Sequence, residues 1–157
     1  MPPQDKIQPP HRLLFLCTGN YYRSRFAEIL FNSLAAQHQL AWQADSRGLA
    51  LDLAGGNLGP MAFPAFETLR ARGVRCASME RFPKPVSEAD FRSANLTIAL
   101  DEEEHRPMMR ARFPEWENKI DYWMVHDLDK WDLQTTLAAI ENCVGSLVEN
   151  ILENRPE

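Results

Sequence analysis

Cys17 and Arg23 stand six positions apart in Cys17-Thr18-Gly19-Asn20-Tyr21-Tyr22-Arg23-Ser24, directly after the apolar run Leu13-Leu14-Phe15-Leu16. A thiolate is a strong nucleophile, and a guanidinium offers a planar fork that grips two phosphate oxygens at once. A strand end, a short loop and a helix N-terminus meeting here aim the amides of Thr18 to Ser24 at one point, a setting that attracts anions. The segment reads as a phosphate-binding loop with a nucleophile built into it. Gly19 permits a tight loop, and Asn20 tolerates a left-handed backbone while hydrogen-bonding locally. Ser24, beside Arg23, can donate to the sulfur both as attacking thiolate and as leaving group. Tyr21 occupies the position whose side chain lines the pocket; Tyr22 can line it or pack beneath it.

Expelling an alkyl or aryl oxygen from phosphorus also needs a proton donor held opposite the loop. The acidic segment His126-Asp127-Leu128-Asp129 offers two. Asp127 is preferred because it follows the preceding strand more directly, with Asp129 as the alternative. Asp132, just before Leu133, reads as a helix cap.

These groups need a scaffold that brings them together. Arg12 to Leu16 reads as a buried parallel strand, apolar without alternation. A helix follows from about Ser24, with Phe26, Ala27, Ile29, Leu30, Leu34 and Ala35 inward. Ala41 to Asp45 is a second strand, ended by Ser46-Arg47-Gly48. A helix from about Pro60 to Arg72 stops at Gly73. Arg81 to Pro85 is irregular, Asn95 to Leu100 is a third strand, and Glu102 to Arg112 is a helix that Pro107 threatens to kink or shorten. Ile120 to Val125 is a fourth strand, and Asp132 to Glu153 a long helix with an apolar stripe from Leu133 to Ile151. Alternating strands and helices predict a single three-layer α/β domain over residues 11–157. Its four-stranded parallel sheet carries helices on both faces, with the phosphate loop between first strand and first helix. Ligands of such sheets bind beyond the carboxyl ends of the strands, the edge that Cys17, Ser46, Asp101 and Asp127 should share. Residues 1–10, polar and proline-rich, are expected to be a disordered lead-in.

The chain of 157 residues is 45% hydrophobic and 25% charged, with a net charge of -5. That balance argues against a nucleic-acid binder, which needs a broad basic face. Basic residues gather around the loop region instead, at His11, Arg12, Arg23 and Arg25. No apolar run is long enough for a membrane span, so no membrane partner is expected. Cys17, Cys76 and Cys143 are widely spaced and odd in number, which fits neither a disulfide framework nor a zinc site and suits a reducing cytoplasm. His11, His38, His105 and His126 lack partners at metal spacing and read as surface histidines; no metal or cofactor is expected. Glu102-Glu103-Glu104 reads as a solvated first helical turn.

The loop resembles the signature of the low-molecular-weight protein tyrosine phosphatase family. That signature, C-x-G-N-x-C-R-S-P, stands here as C-T-G-N-Y-Y-R-S-R. The resemblance extends over roughly residues 12–150. It takes in Asp45-Ser46-Arg47-Gly48 for a D-S-A-G-like segment, the helix from Pro60 to Gly73, a third strand ending in Asp101, and the acid segment at Asp127. It implies a phosphocysteine on Cys17, phosphate binding by Arg23, and an Asp acting first as acid and then as base. Asn20, Ser24 and Ser46 would hold the loop rigid. The implied partner is a phosphorylated protein or small aryl phosphate, and the implied state a monomer or weak dimer.

Four departures stand out. Tyr22 replaces the loop's second cysteine, which removes a protective disulfide. Arg25 replaces proline and is expected to add charge at the mouth. Only Trp131 is left to supply the aromatic wall that tyrosines usually provide. Met79 stands where the family's network histidine falls. Two rival readings remain open. Thiol-linked arsenate reduction uses a similar loop but needs two further close cysteines. A non-catalytic phosphate- or phosphopeptide-binding module would follow from an impaired acid.

Overall fold

The computed structural model describes residues 9–74 and 77–155. Most of the proposed lead-in therefore lies outside the described residues, as does Cys76. Four parallel strands form one sheet in the order β2-β1-β3-β4, with β1 His11–Cys17, β2 Trp42–Gly48, β3 Leu96–Ala99 and β4 Asp121–Tyr122. Five helices accompany it: α1 Arg23–Gln37, α2 Phe63–Ala71, α3 Glu88–Ser93, α4 Glu102–Arg112 and α5 Leu133–Glu153.

The unbroken apolarity of β1 follows from its central place, because both of its faces are covered. Leu13 and Phe15 pack with Phe26, Phe31, Ile140 and Val144 of α1 and α5. Leu14 and Leu16 join Phe91 of α3 and Met109 of α4 on the other side. Two clusters thus clamp one strand, and its carboxyl end at Cys17 can move little.

β2 continues through Ser46-Arg47-Gly48, where the sequence suggests a stop; Gly48 pairs with Cys17. The ladder to β1 overrides the poor strand propensity of these residues, and the outward-facing Asp45 and Arg47 pair at 2.8 Å. β4 is shorter than expected, although Trp123 N–H still donates to Ala99 and Val125 N–H to Leu100, both at 2.8 Å. α4 runs through Pro107 to Arg112. Pro107 is exposed, so the carbonyl it leaves without a helical partner can meet water. α2 ends at Ala71, with Arg72 as its C-cap and a left-handed Gly73 (φ 75°) directly after, the residue expected to stop it. Asp132 caps α5 by accepting from Thr135 N–H at 2.7 Å.

α3 has no counterpart in the sequence reading. Its signal was present in Ser87-Glu88-Ala89-Asp90, a reciprocal capping box in which Ser87 N–H donates to Asp90 Oδ2 at 2.8 Å.

Candidate active site

The loop after β1 and the start of α1 form one wall of a cleft of about 580 Å³ at the carboxyl edge of the sheet. Cys17, Thr18, Gly19, Tyr21, Tyr22 and Arg23 line it from the loop side; Asp127, Leu128 and Asp129 line it from the segment after β4. Glu104 and Met108 of α4 and Leu53 and Ala54 also line it.

Cys17 Sγ lies 2.9 Å from Ser24 Oγ. Asn20 Nδ2 donates to that same Ser24 oxygen at 3.0 Å, so the Ser24 proton is left for the sulfur. Asn20 Nδ2 also donates to Ser46 Oγ at 2.8 Å, and Ser46 in turn donates to Glu28 Oε1 at 2.6 Å. Asn20 is fully buried and left-handed (φ 50°), the conformation that swings the loop around its own amides. Gly19 is needed for a different reason from the one the sequence suggests. Its backbone is not left-handed, but a Cβ there would meet the Ala54 Cβ at 2.7 Å.

The far side of Asn20 is held by a residue that sequence reasoning missed. Arg81 donates from Nη1 to Asn20 Oδ1 at 3.0 Å and from Nη2 to Ser46 Oγ at 3.0 Å and Glu28 Oε1 at 3.2 Å. Lys84 N–H adds a second bond to Asn20 Oδ1 at 3.0 Å. Arg81 thus supplies the cation of this network, while Met79 is buried in the core. Burial, and then the neighbouring Arg25 charge, lower the Arg81 pKa, against the pull of Glu28 and Asp45.

Arg25 does not sit at the mouth. It is fully buried and pairs with Glu28 at 2.8 Å, because Glu28 needs cationic partners inside the protein. His11 and Arg12 are also not near the loop. They begin β1 and lie roughly 17 to 20 Å from Cys17 at ~3.3 Å per residue.

Arg23 is buried and aimed into the cleft. Nη1 donates to the Val125 carbonyl at 3.1 Å, and Nη2 donates to Glu104 Oε2 at 2.7 Å. Asp127 Oδ2 lies 3.5 Å from Nη2, and Asp101 Oδ2 3.8 Å from Nη1. Burial opposes its charge, but Cys17, Glu104 and Asp127 together raise its pKa. Glu104 is therefore no solvated residue. Burial would raise its pKa, yet bonds from His105, Arg23 and Thr18 hold it far below the ordinary carboxylate range. His105 is buried too, not a surface histidine, and burial lowers its pKa. His126 Nδ1 meets the buried Asp101 carboxylate at 2.9 Å, which ties the acid segment to the start of α4.

Of the aromatic candidates, Tyr21 anchors residues 58–62 through its hydroxyl on the Leu58 carbonyl (2.6 Å) and its own carbonyl on Ala62 N–H (2.8 Å). The Tyr22 hydroxyl is buried with no protein partner; its pKa is pushed up to about 12 by burial and then by Asp127. Trp131 is not among the described residues lining the cleft; it packs edge-on against His126 with ring centres 4.8 Å apart. Among the described residues, no group of three or more His, Cys, Asp or Glu could hold a metal ion.

A parallel sheet whose first strand ends in a cysteine, a cradle of amides and a buried arginine defines the thiol-dependent phosphate-binding class of α/β proteins. Residues 12–156 match the family described as low molecular weight phosphotyrosine protein phosphatase, and the chain belongs to it. Among relatives, the protein-arginine-phosphatase of Bacillus subtilis (strain 168) is 29% identical over 69% of this chain and 67% of its own length. The low molecular weight protein-tyrosine-phosphatase YfkJ of the same organism is 36% identical over 58% of this chain and 56% of its own. The match therefore spans little more than half of that relative. The crystal structure of a low molecular weight protein tyrosine phosphatase from T. tengcongensis superposes with a TM-score of 0.72, at 25% identity, over 92% of this chain and 99% of that one. These matches do not favour arsenate reduction. Cys143 lies on α5 in a separate surface cleft with Leu96 and Trp123.

Proposed function

We propose that this chain hydrolyses phosphorylated protein side chains, phosphotyrosine first among them, through a phosphocysteine on Cys17. The observation that carries the reading is the convergence of Cys17, the Ser24 hydroxyl 2.9 Å from it, and Arg23, with Asp127 on the opposite wall 3.5 Å from the guanidinium. In the first step the Cys17 thiolate attacks phosphorus and the bond to the leaving oxygen breaks. Asp127 gives that oxygen its proton, while Arg23 and the loop amides bear the charge on the three equatorial oxygens. In the second step the Asp127 carboxylate takes a proton from water, which attacks the phosphocysteine. The S–P bond breaks and Ser24 receives the returning thiolate. Every group comes from one chain, so a second copy is not required. Among the described residues no helix is long and apolar enough to cross a membrane, and the reading places the enzyme in a reducing compartment that keeps Cys17 as a thiol.

One observation favours a second substrate. Glu104, Asp127 and Asp129 line the cleft together, and three carboxylates suit a cationic leaving group such as the guanidinium of phosphoarginine. Tyr21, Tyr22, Leu53 and Leu128 instead give an aryl group apolar surface. Hydrolysis of para-nitrophenyl phosphate, a phosphotyrosine peptide and a phosphoarginine peptide by wild type and Cys17→Ser decides between them. Wild type is expected to turn over the aryl substrates while Cys17→Ser is silent. Equal rates in both proteins, or none in either, would remove the enzymatic reading and leave the binding module. Turnover confined to the phosphoarginine peptide would move the assignment to the second substrate.

A further inference from the structure

Three donors converge on one oxygen of Glu104. Its Oε2 accepts from Arg23 Nη2 at 2.7 Å, from the Thr18 hydroxyl and from His105 Nε2 at 3.0 Å. The histidine is held for this task. Its Nδ1 accepts from Asp101 N–H at 3.0 Å, which places the ring hydrogen on Nε2, facing Glu104. The ring is fully buried, and Arg23 nearly so.

We propose that Glu104 is a positioning residue for the phosphate-binding arginine, holding Arg23 and Thr18 in the arrangement that receives phosphate. The proposal rests on the phosphate-transfer reading of the cleft. A guanidinium has five N–H donors. Val125 takes one on Nη1 and Glu104 one on Nη2, and the remainder can grip two phosphate oxygens. Asp127, 3.5 Å from Nη2, cannot hold the arginine through the reaction, because it must turn to the leaving group as acid. Glu104 can stay. A rival role, in which the carboxylate merely occupies the phosphate seat and leaves when substrate arrives, would leave the buried His105 N–H with only the neutral Thr18 oxygen, 3.2 Å away, in place of a charged partner at every turnover. The loop is then clamped from two sides, by Arg81 and Ser46 at Asn20 and by Glu104 at Thr18 and Arg23.

The test compares wild type, Glu104→Ala and Glu104→Gln by calorimetric titration with orthovanadate and by kinetics on para-nitrophenyl phosphate. Glu104→Ala is expected to bind vanadate about tenfold more weakly and to lose about 10- to 100-fold in kcat, the scale of a misplaced catalytic group. The loss in kcat should exceed the rise in KM, since the arginine's alignment matters most when charge peaks on the equatorial oxygens. Glu104→Gln keeps an acceptor oxygen and should recover part of both, and it provides the comparison should the alanine variant fail to fold. Vanadate bound as tightly or more tightly by either variant would overturn the proposal and make Glu104 a bystander or a competing anion. If wild type binds vanadate without turning over aryl phosphate, the hydrolytic reading falls while the vanadate comparison still decides the role of Glu104.

Discussion

The loop from Cys17 to Ser24 and the segment from His126 to Asp132 face each other across one cleft, yet they are built in opposite ways. Asn20, Arg23, Ser24 and the supporting Ser46 and Glu28 are all buried; hydrogen bonds join Asn20, Ser24, Ser46 and Glu28 to one another, and Val125 and Glu104 hold Arg23 while leaving N–H donors for phosphate. Across the cleft, Asp127 has 46% of its side chain exposed, and Leu128 and Asp129 are open to water. The first wall is set before any ligand arrives, which is what binding a fixed tetrahedral anion requires. The second meets whatever the phosphate is attached to. Phosphate chemistry is thus separated from substrate choice, and relatives bearing the names of a tyrosine and an arginine phosphatase are compatible with one loop.

The largest expected effect comes from disturbing the buried wall. Arg23→Lys keeps the charge but loses the fork and its simultaneous bonds to Val125 and Glu104; kcat/KM for an aryl phosphate should fall about 10³-fold. A loss under about tenfold would mean that charge alone suffices and that the preset geometry counts for little. On the open wall, Asp127→Asn should lower kcat about 10²-fold on phenyl phosphate, with a smaller loss on para-nitrophenyl phosphate, whose leaving group needs less help. Asp129→Asn should change both by less than about threefold. A larger loss in the second variant reassigns the acid to Asp129, which lines the same cleft.

The buried wall was readable in the sequence where one residue type allows little else. Local spacing points to Cys17, Asn20, Arg23 and Ser24, which the structure brings together, and continuous apolarity points to β1. What could not be read was long-range pairing. Glu104 lies in a run of three glutamates, and helical periodicity alone cannot tell which of them faces an arginine more than eighty residues earlier. Arg81 sits in a stretch without period, and its partners Asn20, Ser46 and Glu28 come from three separate elements. Arg25 was misplaced for a related reason: a buried Arg–Glu pair at i,i+3 looks the same in sequence as a solvated one. The capping box of α3, by contrast, is legible in Ser87-Glu88-Ala89-Asp90.

Arg81 gives a smaller effect than Arg23 or Asp127 and the sharpest test of how the buried wall is maintained. An arginine stays charged across the physiological range even when burial lowers its pKa, so its hold on Asn20, Ser46 and Glu28 does not titrate. A histidine in the same role can lose its charge within that range, because its ordinary value is about 6.5. Charged, it can donate from both ring nitrogens; neutral, it donates from one and leaves the buried Glu28 with less compensation. In Arg81→His, a histidine paired with Glu28 has its folded pKa raised, so its support is present at low pH and fades as pH climbs through that value. The variant's kcat should therefore match wild type within about threefold near pH 5.5 and drop by about tenfold toward pH 8, beyond any fall shared with wild type. Parallel pH–rate profiles for the two proteins would show that the loop is held by its remaining bonds, and that the charge at position 81 serves stability alone.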